Sequence, residues 1–293
     1  MLNFPKTSDV ESQDFHTKAS DGHDLLLRWF TKKGAKPTGS AICYAHGGGM
    51  IALQLKDYDT ILKAYASYSG VPFLAVEYRL APEVQAPTLV TDVYAGLQYL
   101  HEHASELGVD PKRIGVMGDS AGGGISASLA HYAKSKGGPA IAKQILVYPM
   151  LDDRNTTLDE AIAPFAVWST DDNKTGWGAL LGDRAGKDGV TPIEAAGRMT
   201  VRDAEGLPPA YIDVGELVSC SETPYDAVRR RLTRSKDIFR EEDLQYAQTL
   251  GKAGVSCEFH LFPNVPHAWE GMAPAARSSQ LAMGGRIAAI QSI

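Results

Sequence analysis

From residue 40 onward, short β-rich runs alternate with segments of helical periodicity, and that alternation leaves few folds open. SAICYAH (40–46) and PFLAVEY (72–78) are β-rich, and between them Tyr58 to Tyr68 carries apolar residues at helical spacing. Thr88 to Glu102 reads as a long amphipathic helix. Asp110-Pro111 then opens the strand RIGVMG (113–118), followed by a helix over Ala121 to Lys134 and the strand KQILVYP (143–149). Past residue 206 the rhythm resumes with PPAYIDVGE (208–216), a helix from Arg240 to Ala253, SCEFHLFP (256–263) and a C-terminal helix from about Pro274. Near-continuous apolar strands set between helices are strands buried on both faces. The chain therefore predicts an α/β fold with a mainly parallel central sheet flanked by helices.

Two stretches fall outside the alternation. Residues up to about 40 read as a polar lead-in with one hairpin strand, Asp24 to Thr31, after the Asp21-Gly22 turn. Residues 152–206, rich in Asp, Asn, Gly and Trp, read as an excursion over the sheet, a reduced cap in which Phe165, Trp168, Trp177 and Leu181 either line an acyl pocket or pack as core. No boundary or repeat divides the chain, so residues 1–293 are expected to form a single domain.

Composition narrows the partners. With 44% hydrophobic and 22% charged residues the chain is an ordinary globular one, and its net charge is -6. The longest basic block is Arg229-Arg230-Arg231, which excludes a general nucleic-acid binder or a polybasic membrane-surface protein. The longest uncharged stretch, Pro37 to Leu55, is interrupted by Gly, Ser, Thr and His, so no membrane span is expected. Residues 1–20 carry charges throughout without an apolar core, which predicts no secretory signal and a cytoplasmic site. Cys43, Cys220 and Cys257 are odd in number and match no metal-ligand spacing, so neither a disulfide nor a metal is assigned.

Three motifs carry chemistry. Gly118-Asp119-Ser120-Ala121-Gly122 satisfies G-x-S-x-G between a predicted strand and a predicted helix, where a sharp turn pushes a serine hydroxyl out above the sheet. His46-Gly47-Gly48-Gly49 follows the strand ending at Ala45. A hydroxyl attacking an acyl carbon generates an oxyanion, which needs N–H donors already aimed at it. Gly48 and Gly49, with Gly47, and Ala121 after the serine are the donors this pattern offers. A phosphate-cradling loop is excluded because no G-K-[ST] follows.

Ser120 requires a base and the base an orienting carboxylate. His267, in Pro266-His267-Ala268-Trp269 just past the last predicted strand, is the best-placed base; His46 fits better as a shaper of the glycine loop. For the acid the candidates in order are Asp237, Asp226 and Asp213. Asp237 opens the helical segment DIFREEDLQYAQTL, whereas Asp213 lies inside a strand and would point into packing. The order Ser, acid, His is that of α/β-hydrolases.

With these motifs in place, the chain resembles the hormone-sensitive-lipase-like (family IV) esterases of the α/β-hydrolase fold. The resemblance rests on HGGG (46–49), YRLAPE (78–83), DPKRIGVMGDSAGG (110–123), YPMLDDR (148–154), GLPPAYIDVGEL (206–217), DIFREED (237–243) and PHAWE (266–270), and it covers about residues 20 to 275. It implies Ser120 as nucleophile, His267 as base, Asp237 as acid, and the Gly47, Gly48, Gly49 and Ala121 amides as oxyanion hole. It further implies hydrolysis of short- to medium-chain carboxylic esters with no cofactor. The expected partner is a small ester, with the protein a monomer or a homodimer paired near strand 256–263. Amide or lactone hydrolysis on the same triad, or a non-catalytic small-molecule receptor of the same fold, are the alternatives.

Two departures from the family pattern stand out. Only 45 residues precede His46, fewer than the family usually has there, which predicts a thinner cover over the site. Where the family runs straight from GEL into its acid motif, VSCSETPYDAVRRRLTRSK (218–236) intervenes, with a local charge of +3 in a chain of net -6. As protein it could form a short helix from Thr223. Its opening Val-Ser can also be encoded by a splice-donor-like GTRAGT, Leu232-Thr233 by a branch-site-like CTRAC, and Lys236 by a codon ending in AG. The segment thus has the make-up of a retained in-frame intron, whose excision gives GELDIFREED.

Overall fold

The computed structural model describes residues 8–156, 167–216 and 237–293. Among them eight strands form one sheet in the order β1-β2-β4-β3-β5-β6-β7-β8. These are β1 (Val10–Lys18), β2 (Asp24–Lys32), β3 (Gly39–Ala45), β4 (Phe73–Val76), β5 (Val109–Asp119), β6 (Gln144–Val147), β7 (Ala210–Glu216) and β8 (Cys257–Pro263). β2 pairs antiparallel with β1 and β4, and every other pairing is parallel.

The helices are α1 (Asp59–Ser69), α2 (Thr88–Glu102), α3 (Ala121–Lys136), α4 (Thr170–Leu181), α5 (Val201–Ala204), α6 (Arg240–Lys252), α7 (Trp269–Met272) and α8 (Arg277–Gln291). β3 shows why both faces are covered. Ala41, Cys43 and Ala45 join one apolar cluster with Leu97 of α2 and Ile125 and Leu129 of α3, while Ile42 and Tyr44 join another with Leu62 of α1 and Ile290 of α8. Each such fully buried large side chain is worth roughly 1.5–3 kcal/mol relative to exposure.

The lead-in differs from expectation: Val10–Lys18 is a strand, paired along its length with β2. It lies at the sheet edge, and only Val10 in it is buried. A strand with so little buried surface shows no hydrophobic alternation to read. The described part of 152–206 contributes α4 and α5; Ser169 caps α4 by accepting from the Asp172 amide, with the Asp172 carboxylate returning to the Ser169 amide. No helix among the described residues is long and apolar enough to cross a membrane.

The topology fixes where a ligand can bind. After β3 the chain goes to β4 on one side, then crosses to β5 on the other, so the strand order reverses between β3 and β5. In open α/β sheets the crevice outside the carboxyl ends of the strands at such a point is the binding position. In register Ala45 lies opposite Gly118, which places the HGGG loop and the Ser120 turn side by side at that point.

Candidate active site

Ser120 occupies the turn between β5 and α3 with φ 55 and ψ -122, a sparsely populated conformation for a residue with a side chain. The glycines around it make the turn feasible. A Cβ on Gly122 would lie 2.1 Å from the Ala45 carbonyl oxygen, and one on Gly118 would lie 2.3 Å from the Gly122 carbonyl. Only hydrogen at these positions lets the start of α3 approach β3 so closely. Ala121 is the first residue of α3, in the turn whose N–H groups have no intrahelical partner.

The structure brings Ser120, His267 and Asp237 together. Ser120 Oγ is 3.1 Å from His267 Nε2, and His267 Nδ1 is 3.1 Å from Asp237 Oδ2. The other Asp237 oxygen accepts the Phe239 amide at 3.1 Å, which fixes the carboxylate at the mouth of α6. Tyr148 and Phe239 set their rings edge-on to the imidazole, with centroids 4.4 and 5.1 Å away. The Asp237 side chain is wholly buried and that of His267 is 10% exposed, so the contact between them is shielded from water.

Opposite stands the glycine loop. Gly48 and Gly49 have φ of 111 and 62, and a Cβ on Gly49 would lie 1.9 Å from Cη2 of Trp168, whose indole covers that residue. His46 is buried, stacks on Tyr78 at 4.3 Å and donates from Nδ1 to the Gly47 carbonyl at 2.7 Å. The Tyr78 hydroxyl donates to the His46 carbonyl at 2.6 Å. Burial pushes His46 down to about 4, so at neutral pH it is an uncharged part of the loop's scaffold. Beneath the loop, Asp119 accepts from the hydroxyls of Tyr44 and Tyr58. Burial raises its carboxyl to about 6 against the lowering effect of those hydrogen bonds.

Asp213 is occupied elsewhere. It is fully buried and takes a two-pronged bond from Arg286 of α8, at 2.7 and 2.9 Å. Arg286, also fully buried, reaches Glu270 as well, and Glu270 accepts the Tyr148 hydroxyl at 2.6 Å. Burial would raise the Glu270 carboxyl, but the Arg286 charge and the Tyr148 bond outweigh it and hold the group below its ordinary value. Glu270 sits three residues after His267, and Tyr148 packs on the imidazole, so this cluster stands directly behind the base.

Sequence reasoning named neither Arg286 nor Tyr148. The available signal for Arg286 was a single charge within the apolar run AMGGRIAAI. Asp226, Cys220, Phe165 and the insertion 218–236 lie outside the described residues. Trp177 and Leu181 are buried in the cluster with Met50 and Ile125, whereas Trp168 is half-buried against the glycine loop. Cys43 and Cys257 are free thiols, and among the described residues no group of three or more His, Cys, Asp or Glu side chains could hold a metal.

Comparison with known proteins gives the family and the fold. The family model described as alpha/beta hydrolase fold (Abhydrolase_3) matches residues 42–223. Carboxylesterase NlhH of Mycobacterium tuberculosis is 33% identical over 271 residues, spanning 92% of this chain and 78% of its own. Ethyl acetate hydrolase of Pseudomonas putida is 28% identical over 259 residues, 87% of this chain and 74% of its own. Among solved structures, a bacterial heroin esterase aligns with a TM-score of 0.84 at 31% identity, covering 99% of this chain and 86% of the other.

Proposed function

The chain belongs to the hormone-sensitive-lipase-like family of α/β-hydrolases, and from that premise we propose that it hydrolyses small carboxylic esters through an acyl-enzyme on Ser120. The observation that carries the assignment of residues is the unbroken Ser120–His267–Asp237 chain, 3.1 Å at each contact, with the serine held in a positive-φ turn.

Ser120 Oγ adds to the ester carbonyl carbon as its proton passes to His267 Nε2. Asp237 holds the imidazole in orientation and stabilises the imidazolium. The tetrahedral oxyanion lies against the amides of Gly48, Gly49 and Ala121, donors fixed before the reaction begins; the Gly47 amide, expected to join them, is instead bonded to the Tyr58 hydroxyl. Collapse breaks the bond to the alcohol oxygen, which leaves with the proton from His267. Water, giving a proton to His267, then attacks acyl-Ser120; the carboxylic acid departs and the serine regains its hydrogen.

Met50, Ile125, Trp177 and Leu180 line an apolar pocket next to the glycine loop with a free volume of about 10 Å³, room for about one water, so the short- to medium-chain acyl preference rests on the family resemblance. Residues 152–206 act in this reading as a thin cap on one hydrolase domain, in a cytoplasmic monomer or homodimer. Ser120→Ala is expected to lower turnover of p-nitrophenyl butyrate by on the order of 10⁴ or more. Unchanged turnover would refute the assignment. A fluorophosphonate should label the parent chain at Ser120; a folded parent that takes no label and turns over no ester is a receptor on this fold instead.

A further inference from the structure

Both sides of the site are tied to one pair of asparagines, Asn173 buried and Asn155 half-buried. The indole Nε1 of Trp168, whose ring covers Gly49, donates to Asn173 Oδ1 at 3.3 Å. Asn173, wholly buried on α4, donates from Nδ2 to the Asn155 carbonyl at 2.8 Å. Asn155 Nδ2 donates to the Ile238 carbonyl and to Glu242 Oε2, each at 2.7 Å. Ile238 is the residue after Asp237. Glu242 closes the arrangement by accepting the Leu151 amide at 2.6 Å, just past the turn that carries Tyr148.

Partner chemistry leaves no freedom in these amides. Indole N–H can only donate and backbone carbonyls can only accept, so Asn173 must present its oxygen to Trp168 and its nitrogen to Asn155. Asn155 likewise must aim its nitrogen at two acceptors. On the other side, α4 backs directly onto the loop: a Cβ on Gly176 would lie 2.6 Å from the Gly49 carbonyl oxygen.

We propose that the Asn155–Asn173 pair, with Trp168 and Gly176, is a positioning brace that holds the oxyanion glycines and the Asp237 turn at a fixed separation. The inference rests on the proposed roles of Ser120, Asp237 and the glycine loop. Glycine loop and acid turn come from distant parts of the sequence, and the brace spans them without touching the reacting atoms. Its loss should lower kcat while leaving substrate capture nearly intact, since misplacement by about 1 Å far from the chemistry can cost on the order of 10²-fold.

The test uses the full chain and p-nitrophenyl butyrate, with folding checked by near-UV circular dichroism. Gly176→Ala removes no hydrogen bond and favours the helix, yet pushes on the Gly49 carbonyl. It should lower kcat at least tenfold with KM within threefold. Asn173→Leu, which cuts the chain of amides, should do the same, and Trp168→Phe, which keeps a ring over Gly49 but loses the Nε1 bond to Asn173, should lower kcat, though less than Trp168→Ala. Folded Gly176→Ala and Asn173→Leu proteins with kcat within twofold of the parent overturn the brace. A parent chain without esterase turnover or fluorophosphonate labelling overturns the underlying reading instead, and the two failures are distinguishable. Should Asn173→Leu not fold, Gly176→Ala and the Trp168 pair decide the matter.

Discussion

Removing Arg286 tests what holds the catalytic-loop histidine in place. In the native chain its guanidinium is fully buried and serves two carboxylates, Asp213, itself fully buried, and Glu270, whose side chain is 8% exposed. Arg286→Met conserves apolar volume but leaves both acids without a cation. Breaking a buried pair by removing one partner costs about 3–5 kcal/mol, because an uncompensated charge stays behind. At ~2–4 °C per kcal/mol for chains of somewhat smaller size, the thermal midpoint should fall by roughly 6–20 °C. The defect has a defined pH sign. Without the guanidinium, burial raises both carboxyls, so the native chain binds more protons than the unfolded one between the unfolded carboxylate range and the raised values. Stability is then lost as pH rises through that window, and the defect at pH 8 should exceed that at pH 5. Adding Asp213→Asn and Glu270→Gln removes the stranded charges and should recover much of the loss. Differential scanning calorimetry at the two pH values reads each variant. A single Arg286→Met variant melting within 2 °C of the parent at both pH values would falsify the reasoning.

Gly49→Ala, which places a methyl at φ 62 and within 1.9 Å of the Trp168 ring, should lower kcat for p-nitrophenyl butyrate by on the order of 10²–10³, the scale of losing an oxyanion donor; a kcat within threefold of the parent would show that the loop is not confined there. Because burial raises Asp119 to about 6 from 3.8, its ionisation costs the folded state more than the unfolded one, so stability from this group falls as pH rises between those values. Asp119→Asn should flatten that part of the profile, read as urea midpoints at pH 4.5 and 7; identical slopes in both proteins would contradict it. Arg240, the first residue of α6, bonds Glu216 at the end of β7 at 2.7 Å, so the described ends on either side of 217–236 already lie together. A chain lacking 218–236 should therefore fold and hydrolyse an acyl-length series at least as fast as the full chain, and transcripts joining Leu217 to Asp237 should be found; loss of turnover on deletion and transcripts without that junction would both count against a retained intron.

Most of the fold was legible because the sheet's inner strands bury both faces. SAICYAH, RIGVMG and PPAYIDVGE are nearly continuous apolar runs, and such runs between helices admit little but a parallel sheet. The exception, Val10–Lys18, is an edge strand held by backbone pairing with β2, and a strand stabilised that way leaves almost no mark on side-chain pattern. The serine and glycine motifs were legible for a related reason. Their glycines answer local steric demands, such as the 2.1 Å approach of a Gly122 Cβ to Ala45, and local demands show in local sequence.

The choice among carboxylates was a different kind of problem. Position favoured Asp237, which opens a helical segment, over Asp213 inside a strand, but both are buried, and position alone does not say what a buried Asp213 pairs with. That partner is Arg286, 73 residues further on, which takes both Asp213 oxygens and leaves Asp237 to meet His267. The brace through Asn155 and Asn173 is hidden in the same way: each Asn looks like loop or helix-surface polarity until its acceptors, the Ile238 and Asn155 carbonyls, are known. A buried polar group is stable only when its partners are satisfied. Its identity in sequence therefore carries half of a pairing whose other half is supplied by folding, and the parts of this site that depend on such pairings are the ones a linear reading could not assign.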